Sequence, residues 1–136
     1  MTSVIPWLIC GSLKPTELHT DPDAHRLLRT LKGRGLALGV ISNHYGALED
    51  HLRNLGLDMY WDVALDSGKL GVRKPDPRIF QMACNKLGIQ PGDAMYVGDE
   101  PWADIGGALS AGMEAVLIDP LDAYAVGYCG LKYWRI

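Results

Sequence analysis

Four short polar clusters interrupt this chain of 136 residues, each directly behind an apolar run. Residues 36–41 (LALGVI) lead into Ser42-Asn43, and residues 61–65 into Asp66-Ser67-Gly68. Residues 94–97 lead into Gly98-Asp99-Glu100, with Asp104 five positions after Asp99, and residues 115–118 lead into Asp119. Asp99 and Asp104, one at a strand end and one in the first turn of the next helix, can converge on one point. Hard oxygen donors of that kind suit Mg²⁺, which takes few carboxylates and keeps several waters. Lys74 stands in Lys74-Pro75-Asp76-Pro77, its backbone restricted by the proline that follows. A lysine held near carboxylates and a hydroxyl can neutralise a bound phosphate. Each residue also has a plain role: Ser42 as a cap, Asp104 as a first-turn carboxylate matched to the helix dipole, Lys74 as a solvated loop lysine. Collected on one rim, they form a pattern that capping does not require.

The elements that would position them alternate. Asp21-Pro22 opens a helix, with Asp21 as cap and Pro22 at its first position. Leu27, Leu28 and Leu31 share its inner face, and Gly33 and Gly35 end it. The run 36–41 is apolar throughout, as in a strand buried on both faces. A second helix is predicted over 45–55 before Gly56, then a strand over 61–65. A third helix starts at Pro77, carries Ile79, Phe80, Ala83, Cys84 and Leu87 inward, and stops at Gly88. A strand over 94–97, a helix over 103–111 and a strand over 115–118 complete the series. Such alternation implies βαβ units and a parallel sheet covered by helices on both faces, with ligands at the carboxyl ends of the strands.

Composition narrows the classes of partner. The formal charge of −3 lacks the basic excess of a nucleic-acid binder, and no apolar run approaches the length of a membrane span. Residues 4–10 are short, contain Pro6 and have no basic flank, which makes a poor signal peptide. Cys10, Cys84 and Cys129 are too few and too scattered for a disulfide framework or a zinc site. The chain reads as one cytoplasmic domain.

Three segments, in order, resemble motifs of the haloacid dehalogenase-like hydrolase superfamily over about Asp21 to Pro120. Val40-Ile41-Ser42-Asn43 is similar to the second motif, whose hydroxyl and following residue hold the transferred phosphoryl group. Lys74-Pro75-Asp76-Pro77-Arg78-Ile79-Phe80 is similar to the third, whose lysine offsets the charge of the phospho-intermediate. The stretch from Val97 through Gly98, Asp99 and Asp104 to Ala108 is similar to the fourth, which binds Mg²⁺. The resemblance implies an α/β, Rossmann-like three-layer sandwich with a parallel sheet. It also implies Mg²⁺-dependent hydrolysis of a small phosphate ester. Ser42, Asn43 and Lys74 would bind phosphate, Asp99 and Asp104 the metal, and Lys74 would take part in catalysis. Dehalogenating members tend to lose the first acid of the fourth motif, so Asp99 leans toward phosphoryl chemistry.

The family's first motif, an apolar strand ending Asp-x-Asp-x-Thr that carries the nucleophile, does not occur in these residues, nor does the helical cap that follows it. The first strand is therefore expected to be missing or replaced. Domain boundaries are expected at 1–20 (irregular or a substitute strand), 21–120 (the α/β core) and 121–136 (an irregular tail). Pro6 argues against a full central strand, but residues 7–10 could pair, which would put Cys10 where the nucleophile belongs. A buried structural thiol is the preferred role for Cys10. The expected activity is that of a truncated phosphatase, weakly active or inactive. The alternative is a non-catalytic phosphate- or metal-binding or protein-interaction module, with a second copy or a partner chain completing the sheet. His44 and His51, seven apart, are expected on one solvated helix face; His19 and His25 show no evident partner. Trp102, inside the metal loop, either walls the site or packs under it.

Overall fold

The structure is a computed structural model that describes residues 22–119 in full, together with the backbone of Trp7–Ile9 and Trp134–Arg135. Asp21, Cys10, His19 and Cys129 lie outside the described residues. In chain order the elements are β1 (Trp7–Ile9), α1 (Pro22–Gly33), β2 (Leu38–Ser42), α2 (Leu48–Asn54), β3 (Val63–Asp66), α3 (Ser67–Leu70), α4 (Pro77–Leu87), β4 (Met95–Gly98), a π-helical turn (Pro101–Gly106) running into α5 (Gly107–Ser110), β5 (Glu114–Leu117) and β6 (Trp134–Arg135).

Local chemistry sets the element ends. Pro22 opens α1 with the fixed φ that suits a first helical turn. Asp76 caps α4 by accepting the Arg78 amide at 2.9 Å, with Pro77 behind it, and Gly88 closes the helix at φ +69°, where a side chain would be strained. Along β2, Leu38 and Val40 join one apolar cluster while Ile41 joins the other, the two-residue alternation of a strand buried on both faces. The first cluster packs Leu28, Leu48, Leu52 and Tyr60 of the α1–α2 side against β2. The second packs Ile79, Phe80, Ala83 and Cys84 of α4 with Ile105 and Ala108 against Leu65, Tyr96 and Leu117. Helices therefore cover both faces, and the result is the expected three-layer α/β sandwich. Cys84 is fully buried, and burial pushes its thiol pKa up, which suits an inert core residue.

The sheet is parallel throughout, in the order β3-β2-β1-β4-β5-β6. Its middle is filled: Trp7 pairs with Leu38 on one side and Met95 on the other, and Ile9 reaches Val97. The first strand is thus replaced by the chain's own residues, beginning directly after Pro6, and the middle of the sheet does not call on a second chain. Residues 121–136 are not wholly irregular, because Trp134 and Arg135 pair with Val116 and Leu117 along the outer edge of β5. A two-residue pairing is too short to show as periodicity, and it satisfies an edge that would otherwise stand open.

Three further expectations need correction. Leu27 is 54% exposed, whereas Leu28 is buried, because α1 meets the core along the Leu28 and Leu31 edge. The second helix begins at Leu48 rather than 45, since residues 44–47 are held as a loop. The fifth helix is preceded by a π-helical turn over Pro101–Gly106, which places Asp104 inward.

Candidate functional site

The carboxyl ends of β2 and β4, on either side of β1, carry the residues singled out by sequence. Ser42 is the last residue of β2, buried and in register with Asp66 of β3. Asn43, just beyond it, is exposed, and its side chain grips the main chain of Lys74 twice. Its amide Nδ2 donates to the Lys74 carbonyl at 3.0 Å, and its Oδ1 accepts from the Lys74 amide at 2.8 Å. Lys74 is itself buried. Its ammonium donates to Asp104 Oδ1 at 2.6 Å and to the Tyr96 hydroxyl at 3.1 Å, and stands 5.7 Å over the Tyr96 ring.

Asp104 is fully buried and connects most of the site. Its Oδ1 takes the Lys74 ammonium and, at 3.3 Å, the Tyr96 hydroxyl, while Oδ2 accepts the amides of Asp99 at 3.2 Å and Glu100 at 3.1 Å. Both oxygens are engaged, so Asp104 orients the turn that bears Asp99. It does not point freely at a cation. Asp99 and Glu100 remain exposed above it. The close approach depends on Gly98: a Cβ there would lie 2.5 Å from the Asp104 Cβ. Ser42, Asn43, Lys74, Asp99 and Asp104 thus lie together at the strand ends. Among the described residues, no group of three His, Cys, Asp or Glu side chains is placed to hold a metal ion.

Asp66 and Ser67 belong to the same rim and are turned to internal work. Asp66 accepts the amides of Gly46 at 3.0 Å, Leu48 at 3.0 Å and Gly68 at 2.8 Å. Burial alone works against ionisation of Asp66, but these donors and the neighbouring His44 outweigh it and hold the carboxyl below its usual range. A carboxyl whose pKa falls on folding adds stability that is complete above its unfolded pKa of about 3.9 and is lost as pH drops toward the lowered value. Asp66→Asn is therefore expected to be less stable than wild type at neutral pH and to close the gap below about pH 4. Urea titrations showing the same difference at neutral and strongly acidic pH would contradict that account.

His44 and His51 do not share a helix face. His44 precedes α2, is half-buried with its ring turned inward, and meets His51 ring to ring at 2.9 Å between Nε2 and Nδ1. The grip of Asp66 on residues 46 and 48 delays the helix and brings the two rings together. His25 also has a partner, the Tyr60 hydroxyl at 3.2 Å. Trp102 is 69% exposed and does not pack under the loop. Tyr96 escaped the sequence reading because it sits inside an apolar strand, and nothing in that run marks its hydroxyl as directed at Lys74.

The chain and its fold resemble known proteins. A family model described as haloacid dehalogenase-like hydrolase covers residues 12–112. The chain is 40% identical over 99 residues to a phosphoserine phosphatase of Thermus thermophilus, a match that spans 72% of this chain and 40% of the relative. It is 38% identical over 104 residues to (S)-2-haloacid dehalogenase 4A of Burkholderia cepacia, with 76% of this chain and 45% of the relative covered. A crystal structure of a HAD phosphatase from Thermococcus onnurineus superposes with a TM-score of 0.78 at 32% identity, covering 87% of this chain and 54% of that one. The chain thus spans less than half the length of these curated relatives.

Proposed function

Because the chain belongs to the haloacid dehalogenase-like hydrolase family, we propose that its strand-end site binds a phosphoryl group beside Mg²⁺ and serves hydrolysis of a small phosphate ester. The observation that carries the reading is the buried Lys74 ammonium, anchored by Asp104 and aligned through its main chain by Asn43. A buried, fixed cation at the ends of parallel strands is suited to an anionic ligand, and Ser42 and Asn43 lie on the neighbouring strand end. Lys74 offsets charge on the phosphoryl oxygens, while Ser42 and the Asn43 backbone hold them.

The donor set fits a hard cation. Asp99 and Glu100 offer exposed carboxylates, and Mg²⁺ completes its shell with water and phosphate oxygens and needs no all-protein cage. Asp99 supplies the direct oxygen, and Asp104 acts from beneath by fixing the amides of residues 99 and 100. Mg²⁺ when bound would neutralise charge on the phosphate and help orient it. The acid at position 99 favours phosphoryl transfer over dehalogenation, although relatives of both kinds match. The reading carries with it a cytoplasmic location and a small phosphorylated substrate. The Asp-x-Asp-x-Thr pattern that carries the family's nucleophile does not occur in the sequence, and Cys10 lies outside the described residues. Little or no turnover is therefore expected of these residues alone.

The test is calorimetric titration of Mg²⁺ and of inorganic phosphate into the full chain and into Asp99→Asn, beside hydrolysis of an aryl phosphate with and without chelator. Wild type is expected to bind both, with Mg²⁺ affinity reduced about tenfold or more in the variant. Equal Mg²⁺ affinity in the two proteins removes Asp99 from the metal site. Absence of phosphate binding by folded wild type would sink the reading as a whole.

A further inference from the structure

We infer that Asp66, with Ser67 beside it, is a positioning residue for the phosphate site: it holds the 43–47 loop in the arrangement from which Asn43 grips Lys74. The inference rests on the phosphate-binding reading above and reaches residues that contact neither phosphate nor metal in it.

Three consecutive residues at the end of β3 make the grip. Asp66 Oδ1 accepts the Gly46 amide and Oδ2 the Leu48 amide, so one carboxylate spans the loop and the start of α2. The Ser67 hydroxyl accepts the His44 amide at 3.0 Å and donates to the His44 carbonyl at 3.1 Å. Gly68 lets the start of α3 close up on the loop, since a Cβ there would lie 2.7 Å from the Tyr45 carbonyl carbon and 2.8 Å from the Gly46 amide nitrogen. His44 and Gly46, on either side of Tyr45, are thus fixed by β3 or its continuation. Asn43 is the next residue back, and its two bonds to the Lys74 main chain set where that lysine begins its reach to Asp104. An exposed asparagine at the tip of an unrestrained loop would not hold both bonds, because ordering it costs conformational entropy. Asp66 removes that cost in advance.

Asp62 gives a matched comparison. It sits just before β3, at the opposite end of the same strand pair, where it accepts the Leu38 amide at 2.8 Å and pairs with Lys32 at 2.8 Å. Neighbouring donors outweigh the opposing effect of burial and hold its carboxyl low as well. Asp62 ties the start of β2 to the approach to β3, whereas Asp66 ties the loop after β2 and the start of α2 to β3, at the end that bears Asn43.

The experiment compares the full chain as wild type, Asp66→Asn and Asp62→Asn at a temperature where all three are folded, reading inorganic phosphate affinity by calorimetry and exchange of the Lys74 backbone amide by NMR. The Lys74 amide is the group that Asn43 Oδ1 accepts, so its exchange reports the grip without any ligand. Asp66→Asn is expected to weaken phosphate binding and to speed Lys74 exchange, each by about tenfold. Asp62→Asn is expected to lower the denaturation midpoint and to leave both readings unchanged. Unchanged Lys74 exchange in Asp66→Asn, an equal response in Asp62→Asn, or accelerated exchange with unaltered phosphate affinity each overturns the inference. If wild type binds no phosphate yet Lys74 exchange responds to Asp66→Asn alone, the functional reading fails and the control of Asp66 over Lys74 stands. Should Asp66→Asn not fold, Ser67→Ala, which removes only the hydroxyl bridge to His44, is expected to give the same pattern at smaller size, and no change there overturns the inference.

Discussion

Asp104→Ala is expected to cost the fold about 3–5 kcal/mol, read as a lowered urea midpoint. The aspartate has no exposed surface and accepts from Lys74, Tyr96 and the amides of Asp99 and Glu100. Truncation takes the Asp104 carboxylate from beside a buried ammonium and leaves two amides without this acceptor. The larger part of the loss comes from weakened support of that buried charge and from the two amides, not from the pair's own net attraction, which desolvation largely offsets. A double variant separates the two contributions. Lys74→Met combined with Asp104→Leu removes both charges, keeps apolar volume, and is expected to be more stable than Asp104→Ala alone. A loss below about 1 kcal/mol for Asp104→Ala would mean that this carboxylate is not the main support of the buried ammonium.

Gly98→Ala is expected to destabilise by about 1–3 kcal/mol although it adds one methyl group. Its Cβ would stand 2.5 Å from the Asp104 Cβ and Oδ2, and real side chains do not approach so closely. The obstacle is not the free end of a flexible chain, because Asp104 is anchored at both oxygens. Either β4 or the π-helical turn must shift, and each shift loosens the Lys74 contact. Phosphate affinity is therefore expected to fall along with stability. Gly92→Ala is the control, since a Cβ there meets nothing within 4 Å, and its effect is expected within about 0.5 kcal/mol. Similar stabilities for the two variants would show that Asp104 moves aside without loss.

Relatives named as a phosphatase and as a dehalogenase both match this chain. In the proposed function a parallel sheet delivers a hydroxyl, an amide and a lysine to one rim, and the acids after β4 would decide what accompanies them. Asp99 and Asp104 differ in this respect: one is exposed and able to meet a cation, while the other is consumed by four hydrogen bonds inside the protein.

Much of this was legible in the residues themselves. The apolar run 36–41, the Asp76-Pro77 start of α4 and the glycines that end the helices report local preferences, and local preferences survive folding where no long-range contact opposes them. The order of strand-end clusters was equally readable, because parallel connectivity sends every strand's carboxyl end to the same rim. The residue pattern was therefore enough for the α/β class and the alternation of elements. What each strand-end residue does came from long-range packing. It placed Trp7–Ile9 in the middle of the sheet, delayed α2 by hanging residues 46 and 48 on Asp66, and joined His44 to His51. It also turned Tyr96 toward Lys74 and drew Asp104 inward. Most of those outcomes are contacts between residues far apart in the chain. Their energy depends on burial and on which donors arrive together, and neither is written in the pattern of a single segment.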